Sequence, residues 1–210
     1  MRGARAAGLV VAASAAVAAG VWLGARTAEP PQEPAPAIGG YVLDQPRALP
    51  DFALVDGEGQ PFGADDFRGE WSFLYFGYTY CPDVCPLSLV QLAELKKILA
   101  ETEPGVPAGY YFVSVDPARD TPERLHEYVT YFDPSFRGLT GPLPEIDKLA
   151  KAASVVYVIP EAAEGESYLV GHSNTITLLD PEGRIHAVFT SPFEAERLAA
   201  DFSAILAQRR

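Results

Sequence analysis

The sequence predicts an α/β fold, a mixed sheet covered on both faces by helices, set behind an N-terminal membrane segment. Three observations point to it. Short runs rich in aromatic residues, at 71–76 and 110–115, suit strands buried on both faces. Between such runs, apolar residues recur at the three- and four-residue spacing of a helix face. Residues 6–25 carry no charge, and twenty residues at helical rise span about 30 Å, the thickness of a bilayer core.

The elements follow in order. Arg2 and Arg5 precede the uncharged stretch and so place the N-terminus in the cytoplasm, with the remainder across the membrane. A cleaved signal peptide is the competing reading. Small-x-small patterns lie only mid-segment and Arg26 interrupts the zone beyond, so residues 1–26 are read as an uncleaved anchor. The chain is expected to be a single-pass membrane protein with its C-terminal domain on the far side, the expected setting being a bacterial inner membrane with that domain facing the periplasm or cell exterior. Residues 27–50 hold Pro30, Pro31, Pro34, Pro36, Pro46 and Pro50, a stiff, extended spacer. Residues 51–210 form the domain. Residues 52–56 read as a strand entering a Gly57-Glu58-Gly59 turn, and 71–76 as the next strand. Leu89, Leu92, Leu95 and Leu99 mark a helix that is regular from about Pro86, because Pro82 and Pro86 lack an N–H. The run 110–115 is a strand. Asp120-Thr121-Pro122-Glu123 is a helix start, with a capping side chain, Pro at the first helical position and a carboxylate in the first turn. A third helix carries Ile146, Leu149, Ala150 and Ala153. Strands follow at 155–158, 175–179 and 185–190, the last two joined as a hairpin through Asp180-Pro181-Glu182-Gly183, and 193–206 closes as a helix.

Composition narrows the function. A chain of 210 residues that is 48% hydrophobic and 11% aromatic builds a core, which excludes wholesale disorder. A net charge of −12 repels phosphate backbones and argues against nucleic-acid binding. The only cysteines are Cys81 and Cys85. Two are too few for a disulfide scaffold, a four-thiolate zinc site or an iron–sulfur cluster.

Four residues apart, the two sulfurs share one face of a helical turn. They sit in the loop after a central strand, opening a helix, which is the thioredoxin arrangement. Free N–H groups and the helix dipole there favour thiolate. A structural disulfide is the bland alternative, but a bridge across three intervening residues removes little chain entropy. Two thiolates plus one imidazole make a soft set that suits Cu(I), and Cu(II) with an added oxygen. The dinuclear electron-transfer copper motif also uses C-x-x-x-C but needs a downstream His and Met, whereas Leu89 stands four residues after Cys85 and the sole methionine is Met1. Of the three histidines, His126 has polar helix neighbours, His186 lies within a strand, and His172 lies in a loop before a strand. The residues alone leave the choice of imidazole open.

Residues 76–86, Phe-Gly-Tyr-Thr-Tyr-Cys-Pro-Asp-Val-Cys-Pro, resemble the signature of the SCO/SenC family, copper-binding assembly factors of cytochrome c oxidase. Residues 114–122, Ser-Val-Asp-Pro-Ala-Arg-Asp-Thr-Pro, are similar to a second block of that family, and Tyr168-Leu169-Val170-Gly171-His172-Ser173 to a third. The resemblance implies a thioredoxin-like fold with copper, Cu(I) or Cu(II), on Cys81, Cys85 and His172. It implies a metallochaperone that serves the dinuclear copper site on subunit II of cytochrome c oxidase, supplied by a periplasmic copper donor. The alternative is a thiol–disulfide oxidoreductase, with Cys81 and Cys85 as catalytic thiols, that reduces the cysteines of that site or of another exported protein. Tyr80 stands where a His is common in the family and Gly171 where an Asp is common. Asp116 and Asp120 are read as fixing a loop and a helix start.

Overall fold

The computed structural model describes residues 38–161 and 167–209. The stretch read as a membrane anchor, and residues 27–37 of the proline-rich spacer, lie outside the described residues. Among the described residues, no helix is long and apolar enough to cross a membrane.

The aromatic run at 71–76 becomes the centre of the sheet. Elements are numbered here in chain order. Strands β1 (Gly40–Ala48), β2 (Leu54–Asp56), β3 (Pro61–Phe62) and β4 (Trp71–Gly77) are followed by helix α1 (Val84–Thr102). Next come β5 (Ala108–Ser114), α2 (Pro122–Phe132), β6 (Arg137–Thr140) and α3 (Leu143–Ala152). The chain ends with β7 (Tyr157–Val158), β8 (Gly171–His172), β9 (Thr175–Leu179), β10 (Arg184–Thr190) and α4 (Ala195–Arg209). One eight-stranded sheet runs in the order β1-β10-β9-β4-β5-β6-β2-β3, and β7 and β8 pair as a separate two-stranded ribbon. Every residue of β4 is buried. Aromatic rings fill the space around it: Phe73 stacks on Tyr110 and tilts against Phe202, and Trp71 meets Phe202 edge-on, all with centroids 5.3–5.4 Å apart. Each fully buried ring of this kind removes enough apolar surface to contribute about 1.5–3 kcal/mol.

Register, more than any single contact, builds the site. β4 and β5 are parallel, with Gly77 opposite Ser114, so both strands exit at the same end. β9 is antiparallel to β4, with Tyr75 opposite Ile176, so the residues just before Thr175 arrive at that same end. Three loops from distant parts of the sequence therefore meet at the carboxyl end of the parallel strands, where open α/β sheets carry their ligands.

The mixed sheet with flanking helices is the predicted one, with differences: the two-residue strands β3 and β8 went unpredicted, so His172 lies in a strand and not in a loop. Strand β1 falls largely within the stretch read as spacer, and it hydrogen-bonds antiparallel along β10, Tyr41 opposite Val188. The prolines that make the spacer stiff cluster at 30–36, while 40–45 hold none. An edge strand also tolerates Pro46. Strand β6 went unpredicted because its four residues sit beside a proline and two glycines. Helix α1 begins at Val84, so Cys85 lies inside its first turn. The cap of α2 is Thr121, whose hydroxyl accepts the Arg124 amide, while Asp120 turns inward.

Candidate metal centre

The cysteine loop is short because β4 must turn directly into α1. Tyr78, Thr79 and Tyr80 make the turn, closed by the Cys81 amide donating to the Tyr78 carbonyl at 3.2 Å. The Cys85 amide, one of the unpaired N–H groups of the first helical turn, points at Cys81 Sγ at 3.4 Å. Both thiols are free; Cys85 is fully buried and Cys81 is 9% exposed. His172 comes from β8, half-buried, with Nε2 3.4 Å from Cys85 Sγ. Its Nδ1 lies 3.0 Å from the Ser173 carbonyl, which only accepts, so Nδ1 donates there and Nε2 is the nitrogen that faces the sulfurs. Tyr75 and Tyr78 meet the imidazole edge-on at 6.2 and 6.0 Å and fix its plane.

The two sulfurs differ electrostatically. Cys81 is held well below the usual thiol range, at about 5. The Cys85 thiol is the main cause, followed by the amides of Asp83 and Cys85, against the opposing effect of burial. Cys85 is pushed up by the Cys81 thiolate it faces and by burial. The pair therefore holds one shared proton, as an S–H donated from Cys85 to the Cys81 thiolate.

Cys81, Cys85 and His172 are the one group of three or more His, Cys, Asp or Glu ligands found close enough for a metal among the described residues. Their ligand atoms all lie within 4.8 Å of one another. Two thiolates and an imidazole with no fourth protein ligand match the preference of a soft, low-coordinate ion and not that of a closed zinc site. The other histidines are elsewhere. His126 is exposed on α2, and His186 is buried against Trp71 at 5.3 Å with its imidazolium disfavoured by that burial. Asp116 and Asp120 are both fully buried, and their carboxylates bond Arg119 and Tyr168, and Thr79 and Ser114, respectively.

Sequence reasoning missed Gly77, Asn174 and Ser88. A Cβ at Gly77 would sit 2.9 Å from Cys85 Sγ and 2.9 Å from the Phe112 ring, so the strand end must be glycine for the sulfur to pack there. A glycine closing a strand rich in aromatics was the available signal. Asn174 Oδ1 accepts the Tyr75 hydroxyl at 3.0 Å and the Ser88 hydroxyl at 3.4 Å, tying the segment after His172 to β4 and α1. No spacing rule exposes that link.

Comparison with known proteins follows the same residues. The sequence model of the SCO1/SenC family matches residues 42–207. A putative copper-binding protein of Stutzerimonas stutzeri is 35% identical over 170 residues, covering 80% of this chain and 82% of that one. The mitochondrial SCO2 homolog of Homo sapiens is 38% identical over 154 residues, 73% of this chain and 56% of that protein. The chain thus spans little more than half the length of the mitochondrial SCO2 homologs it matches. Among solved structures, yeast Sco1 with copper bound superposes with a TM-score of 0.72 at 32% identity, covering 77% of this chain and 90% of that one. Arabidopsis thaliana ScoI with copper bound gives 0.70 at 34%, covering 78% and 99%.

Proposed function

The chain belongs to the SCO1/SenC family, and on that premise we propose that it is a copper carrier tethered to a bacterial inner membrane. Its cargo is Cu(I), held by Cys81, Cys85 and His172. Its destination is the dinuclear copper site of cytochrome c oxidase subunit II, and its source a copper donor on the same side of the membrane. The observation that carries this reading is the convergence of two sulfurs and an imidazole nitrogen within 4.8 Å from segments almost ninety residues apart. The membrane tether and the orientation rest on the uncharged stretch at 6–25 behind Arg2 and Arg5.

The chemistry of loading and release follows from the site. Cys81 is already an anion at neutral pH and supplies the first sulfur. Cys85 must give up its proton to bind, so loading releases acid. Delivery is ligand exchange: a partner thiolate adds to the low-coordinate ion as one ligand of this chain leaves. His172, a neutral ligand on a two-residue strand, is the first to leave because no charge has to be separated.

The depressed Cys81 supports a second reading, reduction of a partner disulfide. Cys81 thiolate attacks one partner sulfur, the partner S–S bond breaks, and a mixed disulfide forms. Cys85, deprotonated, then attacks Cys81 Sγ, and the second partner thiolate leaves. Two electrons pass from this chain to the partner, and the chain ends as the Cys81–Cys85 disulfide. Titration of the reduced domain with Cu(I) against a competing chelator, repeated with His172→Ala, separates the two. Tight binding lost on substitution supports the carrier, and weak binding indifferent to it overturns it.

A further inference from the structure

One loop touches both halves of the metal centre. It leaves β5 beside the exit of β4, where the Val115 amide donates to the Gly77 carbonyl at 2.8 Å. It then makes a single turn in which the amides of Arg119 and Asp120 donate to the Asp116 carbonyl at 3.1 and 3.0 Å. The two carboxylates of this turn point in different directions. Asp120 faces the cysteine loop. Its Oδ2 accepts the Thr79 amide at 3.0 Å and the Ser114 hydroxyl at 2.6 Å, and its Oδ1 accepts the Thr79 hydroxyl at 2.6 Å. Thr79 Oγ1 in turn accepts Arg124 Nε at 2.6 Å. Thr79 stands two residues before Cys81, inside the turn that aims it.

Asp116 faces the other half. Its Oδ2 accepts Arg119 Nε at 2.5 Å and its Oδ1 accepts the Tyr168 hydroxyl at 2.8 Å. Arg119 Nη1 donates to the Tyr168 carbonyl at 3.0 Å while the guanidinium lies 3.6 Å from the centroid of the same ring. One residue is thus gripped at its hydroxyl, its ring face and its backbone, four positions before His172. The same guanidinium lies 4.7 Å from the Tyr80 ring and 5.7 Å from the Tyr78 ring, contacts that rest on its charge, which a lysine keeps.

Two fully buried carboxylates in one turn are expensive, and fold stability alone is usually served as well by apolar packing. What such networks contribute is a unique geometry when their members are satisfied, as both carboxylates are here, Arg119 Nη2 alone lacking a partner. We propose that the turn from Asp116 to Asp120 is a clamp that sets the spacing of the copper ligands, Asp120 holding the cysteine loop through Thr79 and the Asp116–Arg119 pair holding the His172 arm through Tyr168. These are positioning residues, and the proposal rests on the copper-carrier reading above.

The test is a double-substitution series with two readouts: Cu(I) affinity by chelator competition, and the dithiol–disulfide equilibrium of Cys81 and Cys85 in metal-free protein against a glutathione buffer. Arg119→Lys, which keeps the charge and loses the fork and the stack, weakens Cu(I) binding by about tenfold, the scale of lost outer-sphere support. Tyr168→Phe does so less. Both effects vanish in a His172→Ala background, because the arm they hold no longer carries a ligand. Asp120→Asn weakens binding by about tenfold in either background and shifts the dithiol–disulfide equilibrium, which Arg119→Lys leaves unchanged. If Asp120→Asn does not fold by circular dichroism, Thr79→Val takes its place. Losses from Arg119→Lys and Tyr168→Phe that persist without His172, or no losses at all, overturn the clamp on the histidine side. An unshifted dithiol equilibrium in Asp120→Asn or Thr79→Val overturns it on the cysteine side. Wild-type protein that binds Cu(I) no better than His172→Ala overturns the copper reading and the histidine side with it, while the metal-free equilibrium still decides the cysteine side.

Discussion

The two halves of the metal centre are built on unlike foundations. The cysteine half grows from β4, buried along its whole length between β5 and β9, and from α1, whose Leu89, Leu92, Leu95 and Leu99 are all buried. The histidine half is the ribbon of β7 and β8, outside the main sheet, with Val156, Val158 and Leu169 exposed to 69%, 64% and 62%. One half inherits the stability of the core; the other reaches the core at Val155 and Val170 and is otherwise held by polar contacts of Tyr168, which sets it toward the less stable end of the fold. For a carrier the asymmetry is useful. Charged sulfurs stay in place while the neutral ligand, on the weaker support, can swing off during exchange.

The largest effect that tests this contrast is on stability. Phe73 is fully buried in the layer beneath the cysteines, so Phe73→Ala should cost about 3–5 kcal/mol. Val158→Ser, on the ribbon, should change stability by no more than about 0.5 kcal/mol. Urea midpoints at constant m-value measure both, and comparable losses would mean that the ribbon is part of the core after all.

Two glycines, one in each half, give a second and smaller contrast. A methyl group at Gly77 meets Cys85 Sγ and Phe112 at 2.9 Å, and neither can withdraw without disturbing the site. Gly77→Ala should cost about 1–3 kcal/mol through overpacking and weaken Cu(I) binding. A methyl group at Gly171 meets nothing within 4 Å, although the next residue is His172. Gly171→Ala should leave the melting temperature and Cu(I) affinity where they are. Equal sensitivity at the two positions would remove the distinction between the halves.

The same contrast explains what could be read from the sequence. The cysteine half was legible because its signals are local: an apolar run, two cysteines four apart, and leucines at helical spacing. The histidine half was not, since a lone His in a loop acquires meaning only when β9 folds back antiparallel on β4, a pairing of residues about a hundred positions apart. Only the family resemblance singled out His172. Asp116 and Asp120 were read as fixing a loop and a helix start, but Asp120 yields the cap to Thr121 and spends its carboxylate on Thr79 and Ser114. Nothing in the spacing shows which of two adjacent capping residues turns inward. Strand β1 was hidden for a related reason. An edge strand with a bulge between Val42 and Arg47 has no clean alternation, and neighbouring prolines masked it.

The subtlest contrast lies inside the cysteine half, between its two sulfurs, and pH exposes it. An unfolded chain keeps both thiols protonated up to about 8.5. The folded chain holds one proton between them from about 5 upward, because Cys81 is depressed and Cys85 raised. The unfolded state therefore binds one proton more across that window, and stability of the metal-free protein should rise with pH between about 5 and 8.5. Above the ordinary thiol range the sign reverses. The unfolded chain has lost both protons while Cys85 retains its own, so stability should fall. In Cys81→Ser the rising limb attributable to the pair should disappear, since no thiolate remains for Cys85 to face. Copper loading reads the same proton from the other side: binding at pH 7 should release about one proton per Cu(I), measurable by calorimetry in buffers of different ionisation enthalpy. Release of two would mean that Cys81 is an ordinary thiol, and the electrostatic difference between the sulfurs would be gone.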